Sequence, residues 1–342
     1  MQRYRASSLF QPSDFAAALG SGNDGSKEEF PGTLIGVALL IPHTQIARNL
    51  AILGFDFIFV DTLHAPITTA QLVDIIHFIS FASDGKTCAV VRIQSPESDL
   101  LAPTLDAGAA AIVFPQIDTP AQAAAAVKKV RYAYAGGERS VSPIALINGF
   151  SNMAPPGWTS ETIADRNIAV ICQIESTLAC ENVDAIAATP GLDGLMLGAA
   201  DLRASLGLPC RNPPGQGDDV KFIYEVKKLI AASKKHKVPL LGPAFSLSNE
   251  PGSIEYLRHF KMIVVSVDML NIVKAALHDL AFAKDLLAKD QAQRESNGDV
   301  VKPPDSEIRK DVANDLLAKA EVDKDQCGMA TRPGGVTGEV NE

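Results

Sequence analysis

Four short segments end an apolar run on a side chain that can do chemistry. FVDTLHAP delivers His64, AVVRI delivers Arg92, IAVICQIES delivers Glu175, and GLMLGAADLRASLG delivers Asp201. A histidine moves protons near neutral pH. A guanidinium stabilises negative charge as it develops on an oxygen. Two carboxylates suit a hard divalent cation such as Mg²⁺ or Mn²⁺, with water or substrate oxygens filling the other positions. A 2-oxo acid offers a carboxylate and a keto oxygen to such a cation, so the set is suited to stabilising an enolate. Each member also has a plain reading. His64 is then a loop residue beside Pro66, Arg92 a partner for a nearby carboxylate, and Asp201 a helix N-cap. Glu175 resists that treatment, because an acid closing the run IAVICQI is partly buried and needs a partner. The conjunction carries the reading, not any single residue.

The elements that must position these residues are short apolar runs alternating with helical patterns. The runs are Thr33–Ile41, Asp56–Val60, Ala89–Ile93, Ala110–Pro115, Ala169–Glu175, Gly194–Gly198, Val238–Gly242 and Met262–Val267. They are mostly continuous rather than alternating, as parallel strands covered on both faces are. Thr68 or Thr69 caps a helix over Ala70–Phe81, and Asp118-Thr119-Pro120 opens another. Glu181–Ala188 stops at Thr189-Pro190-Gly191, Asp219–Lys235 is apolar on one face, and Asn271–Glu295 reads as one last helix. Eight strand–helix units predict an α/β fold, a (β/α)₈ TIM barrel, in which chemistry sits at the carboxyl ends of the strands. That placement gathers His64, Arg92, Glu175 and Asp201 at one mouth. A doubly wound sheet is the competing architecture, but no GxGxxG follows the first strand. The long irregular segment from Tyr132 to Asn167 is expected as an oversized loop after the fourth strand, lying on the face that carries the chemistry.

Composition bounds the partners. The 342 residues carry a net charge of −9 and are 46% hydrophobic, a globular balance that argues against nucleic acid. Five cysteines, an odd number without CxxC or finger spacing, point to free thiols in a reducing compartment. With no apolar signal core and no run approaching 18 apolar residues, a cytoplasmic protein that avoids membranes is expected. Residues 1–31 and 296–342 are rich in Gly, Pro, Ser and charge, and are expected as a flexible extension and a largely disordered tail. One short helix is expected in the tail at Asp311–Ala320. The barrel is expected over residues 32–295.

The motifs GFDFIFVDTLHAP, VVRI, LDAGAAAIVFPQI, CQIES and GLDGLMLGAADLRASLG, in that order between about Thr33 and Leu280, resemble those of the HpcH/HpaI aldolase family. These are class II, metal-dependent pyruvate aldolases. The resemblance implies that His64 is the proton acceptor and Arg92 the transition-state stabiliser. It implies that Asp106, in LDAG, raises the basicity of the histidine from a neighbouring subunit. Glu175 and Asp201 become ligands of Mg²⁺, or of Mn²⁺ or Co²⁺, while Gln173, Arg92 and the backbone at Ala200 contact the 2-oxo acid. Without the resemblance, Asp106 reads as a helix-end acid before Gly108. Two departures stand out. Leu63 occupies the position before the histidine where the family has Glu, and Gly198-Ala199 replaces a Gly-Pro, freeing one more backbone N–H.

The implied chemistry is carbon–carbon cleavage through a pyruvate enolate: aldol cleavage of 4-hydroxy-2-oxo acids, decarboxylation of oxaloacetate, or capture of the enolate by an electrophile such as a 2-pyrone. A Schiff-base aldolase would need a lysine at a strand's carboxyl end, whereas Lys86, Lys237 and Lys261 precede their strands. A phosphate-binding barrel would want Gly-rich turns after the last two strands, and LGPAFSLSNEP and SVDMLNIV are poor candidates. A non-catalytic relative is the third alternative, kept open by Leu63. The long last helix offers an apolar stripe, ALHDLAFAKDLLA, and by the same resemblance is expected to pack against another subunit in a homo-oligomer, a hexamer.

Overall fold

The computed structural model describes residues 1–20, 32–143, 156–212, 216–244 and 257–297. Eight strands, β1 (Leu34–Leu39), β2 (Phe57–Asp61), β3 (Cys88–Arg92), β4 (Ala111–Phe114), β5 (Ala169–Ile174), β6 (Gly194–Leu197), β7 (Leu240–Pro243) and β8 (Met262–Val267), pair in parallel in sequence order. β8 pairs back onto β1, so the sheet closes into the expected (β/α)₈ barrel. Each strand lies in or beside one of the runs read from the sequence. The offsets reach two residues, at the end of β1 and at the start of β7.

Alternation along single strands builds two cores. Phe57 and Phe59 of β2 join an interior cluster with Ala38, Val90, Val113 and Ile171. Ile58 and Val60 of the same strand join the layer beneath the helices with Leu39, Val91 and Ile112. Both sets are buried, which is why the strands read as continuous apolar runs.

The helices are α1 (Phe15–Leu19), α2 (Thr44–Ala51), α3 (Thr69–Ala82), α4 (Leu101–Asp106), α5 (Pro120–Val130), α6 (Ser160–Asn167), α7 (Thr177–Glu181), α8 (Val183–Ala187), α9 (Ala199–Ser205), α10 (Val220–His236) and α11 (Asp268–Ser296). Thr68 with Gln71 and Thr119 with Gln122 form reciprocal capping boxes, the second with Pro120 at the first turn. Asp219 caps α10. The single helix expected over Glu181–Ala188 is instead the pair α7 and α8, which meet at Asn182.

A second expectation is corrected. Residues 1–20 are not a loose extension but the plug of the barrel floor. Phe15 and Leu19 of α1 are fully buried in the interior cluster, and Phe15 meets Phe57 edge-to-face at 6.2 Å. Asp14 caps the helix and Gly20 ends it at φ 83°. The physical reason is that the starts of eight strands leave an apolar floor that something must cover. Residues 21–31 and 298–342, including the helix expected at 311–320, lie outside the described residues. Met1–Ala275 forms one compact unit and the chain from Ala276 a second. In the second unit the rest of α11 carries Leu277, Leu280, Phe282, Leu286 and Leu287 exposed.

Candidate active site

Parallel strands point all their carboxyl ends the same way, so β2, β3, β5 and β6 deliver their last residues to one mouth. Asp61, the last residue of β2, is in register with Arg92, the last of β3. Arg92 Nε donates to Asp61 Oδ1 at 3.0 Å and Nη2 to Oδ2 at 2.6 Å, a bidentate pair with both side chains buried. Arg92 Nη1 also donates to Gln173 Oε1 at 3.3 Å, and its guanidinium lies 5.6 Å from the centre of the Phe59 ring. Gln173 Nε2 in turn donates to Glu175 Oε2 at 2.6 Å. A continuous polar chain, Asp61–Arg92–Gln173–Glu175, therefore crosses the mouth.

Glu175 is also held from β4. Gln116, the second residue after that strand, has φ 54° and donates its backbone N–H to Glu175 Oε1 at 2.7 Å. A left-handed conformation at a non-glycine residue costs energy, and here it aims an N–H at the Glu175 carboxylate. On the other side Gly198 makes room. A Cβ there would lie 2.6 Å from Glu175 Oε2 and 2.8 Å from Gln173 Nε2. Asp201, in the first turn of α9, is exposed. Burial pushes the Glu175 carboxyl up to about 7; the Gln116 N–H works against this and the Asp201 charge adds to it. Two neighbouring carboxylates with room left beside them by a glycine form a hard-oxygen donor pair that suits Mg²⁺ or Mn²⁺.

His64 lies in the turn after β2, exposed, and its backbone N–H points to Asp61 Oδ1 at 3.4 Å. Leu63 donates its N–H to the same oxygen at 2.9 Å. Asp61 thus holds both the arginine and the histidine turn. Ala200 sits beside Asp201 in α9, at the same rim. Asp106 is not at this mouth. It closes α4, before β4 begins, and accepts from Arg139 Nη2 at 3.2 Å. Within one chain it is at the opposite end of the barrel from His64.

Sequence reasoning passed over Asp61 and Gln116. Asp61 carried the signal used for Glu175, an acid terminating a buried run. Gln116 carried none, since it acts through its backbone.

The family described as HpcH/HpaI aldolase/citrate lyase matches residues 36–270. The 4-hydroxy-2-oxovalerate aldolase of Rhodococcus jostii is 32% identical over 237 residues, 69% of this chain and 86% of that enzyme. The hydroxypyruvate/pyruvate aldolase of Paraburkholderia phytofirmans is 37% identical over 177 residues, 51% of this chain and 66% of that enzyme. Among solved structures, macrophomate synthase superposes with a TM-score of 0.73 at 31% identity, covering 84% of this chain and 94% of that one.

Proposed function

This chain belongs to the HpcH/HpaI aldolase/citrate lyase family, with the activity class of a carbon–carbon lyase, and from that premise we propose that it cleaves small 2-oxo acids through a pyruvate enolate with a divalent cation. The observation that carries the reading is the buried chain Asp61–Arg92–Gln173–Glu175, with His64 in the turn after β2 and Asp201 in the first turn of α9. Glu175 and Asp201 would hold Mg²⁺, with Mn²⁺ or Co²⁺ as substitutes. That cation would supply positive charge where the 2-oxo group gains electron density.

The remaining work belongs to the chain's own groups. Arg92, held by Asp61 and Gln173, faces the oxygen on which negative charge grows, and its fixed orientation avoids reorganisation during the reaction. The backbone N–H at Ala200 and the Gln173 amide orient the 2-oxo acid. In aldol cleavage His64 takes the proton of the 4-hydroxyl. The C3–C4 bond then breaks, its electrons pass to the 2-oxo group, the aldehyde leaves, and the enolate takes a proton at C3 to give pyruvate. In oxaloacetate decarboxylation carbon dioxide leaves with no base needed for bond breaking. A second reading is favoured by the likeness to macrophomate synthase, the enolate being captured by an electrophile such as a 2-pyrone.

The proposed assembly is a homohexamer in which each Asp106 serves the His64 of a neighbouring subunit. The exposed apolar side chains of α11 support association. Among the described residues no helix is long and apolar enough to cross a membrane, and the free thiols of Cys88, Cys172, Cys180 and Cys210 support a cytoplasmic location. The test is pyruvate release from oxaloacetate and from 4-hydroxy-2-oxo acids, with and without EDTA. Release that EDTA stops and Mg²⁺ restores supports the proposal; full activity in excess EDTA overturns it.

A further inference from the structure

The pair of Asp106 and Arg139 is built in a way that stability alone does not explain. Arg139 Nη2 meets Asp106 Oδ1 at 3.2 Å, with the arginine side chain 7% exposed and the aspartate 30%. The guanidinium lies over the Tyr132 ring, 4.6 Å from its centre. A tight turn brings Arg139 there: its N–H bonds the Arg131 carbonyl at 2.9 Å, and Gly137 sits where any Cβ would collide with that carbonyl oxygen. Arg139 Nε and Nη1 are buried with no hydrogen-bond partner. Buried donors left unanswered are destabilising, and apolar residues of similar volume would serve a purely structural site better. What the arrangement does achieve is to hold a guanidinium, laid on the Tyr132 ring, against one oxygen of one carboxylate. Asp106 Oδ1 is taken by Arg139, and Oδ2 has no hydrogen-bond partner among the described residues.

We infer that Arg139 is a positioning residue that locks the Asp106 carboxylate in one orientation, with Oδ2 presented to the His64 of a second copy of this chain. This rests on the reading above that Asp106 serves a neighbouring subunit. Asp106 precedes β4 at the barrel floor and His64 follows β2 at the mouth, so the pair has no access to its own histidine. Arg139 acts through Asp106 and touches no reacting atom.

The experiment uses full-length subunits carrying His64→Ala, Asp106→Ala or Arg139→Met, singly, combined, and co-expressed in pairs. With a 4-hydroxy-2-oxo acid, Arg139→Met should lower kcat about 10- to 100-fold, the usual cost of losing the partner that orients a functional ligand. KM, Mn²⁺ affinity and the mass by light scattering should stay unchanged. The double variant Asp106→Ala/Arg139→Met should lose no more than Asp106→Ala alone. Co-expression of His64→Ala with Arg139→Met should restore activity, because about a quarter of randomly assembled sites pair an intact histidine with an intact neighbour. Asp106→Ala with Arg139→Met should restore none. Wild-type activity in Arg139→Met overturns the inference. So do losses that multiply in the double variant, or failure of Arg139→Met to complement His64→Ala where Asp106→Ala succeeds. If Asp106→Ala and His64→Ala do not complement, the neighbouring-subunit reading falls by itself and the inference falls with it. If Arg139→Met does not assemble, Arg139→Lys takes its place in the same crosses.

Discussion

Removing Asp61 should cost more stability than its small size suggests. Its carboxylate and the Arg92 guanidinium have side chains 2% and 9% exposed and are joined by two hydrogen bonds at 2.6 and 3.0 Å. In Asp61→Ala the guanidinium stays buried without its counter-charge, a change that costs about 3–5 kcal/mol. At about 2–4 °C per kcal/mol for a domain of this size, the melting temperature should fall by about 6–20 °C. Arg92→Met, which strands the carboxylate, should cost a similar amount. Asp61→Leu/Arg92→Met removes both charges and should be less destabilised than either single variant, because no buried ion remains unpaired. Urea unfolding by circular dichroism at one fixed subunit concentration gives the three values. Both single variants should also lose catalysis, since Arg92 is either absent or unaimed. A cost under about 1 kcal/mol for Asp61→Ala, or a double variant that loses the sum of the singles, would refute the view that these two form one charge-compensated unit.

Three further outcomes are expected. Phe15→Ala, which empties a fully buried site against Phe57, should cost about 3–5 kcal/mol in the same unfolding assay; a loss within about 0.5 kcal/mol, as at a surface site, would return residues 1–20 to the status of a loose extension. The Glu175 carboxyl, raised to about 7, carries a proton below that pH, so metal uptake must displace it. Mn²⁺ affinity by calorimetry should therefore fall about tenfold per pH unit below 7 and level off above it, and metal-free protein should lose stability as pH rises from about 4.5 towards 7. A pH-independent affinity would contradict this. His64→Ala should depress aldol cleavage about 10²–10⁴-fold and oxaloacetate decarboxylation little; equal losses in both kcat values would show that the histidine holds substrate instead of taking a proton.

Much of this was legible because parallel strands covered on both faces leave a plain trace. Ile58 and Val60 are buried under helices and Phe57 and Phe59 inside the barrel, so β2 reads as an unbroken apolar run. The caps at Thr68 and Thr119 were legible for a local reason, a glutamine three residues on that bonds back. The floor plug was not. FAAAL is short and small, and its burial is demanded by the open end of a barrel built from distant segments. At the mouth, Arg92 and Glu175 announced themselves as ionisable groups closing apolar strands. Gln116 was invisible because any residue able to tolerate φ 54° offers the same N–H. Asp106 and Arg139 meet across a separation of 33 residues through a turn that depends on Gly137, which no local spacing reveals.

The mouth is proposed to stabilise a pyruvate enolate with the help of a divalent cation held by Glu175 and Asp201. The most direct test is hydrogen–deuterium exchange at the methyl group of pyruvate in D₂O, followed by proton NMR, which reads enolate formation without any cleavage step. Wild-type protein with Mg²⁺ or Mn²⁺ should wash out the methyl signal, and excess EDTA or Glu175→Gln should stop the exchange. Exchange that proceeds undiminished under EDTA and in Glu175→Gln, or no exchange from metal-loaded wild type, would contradict the account.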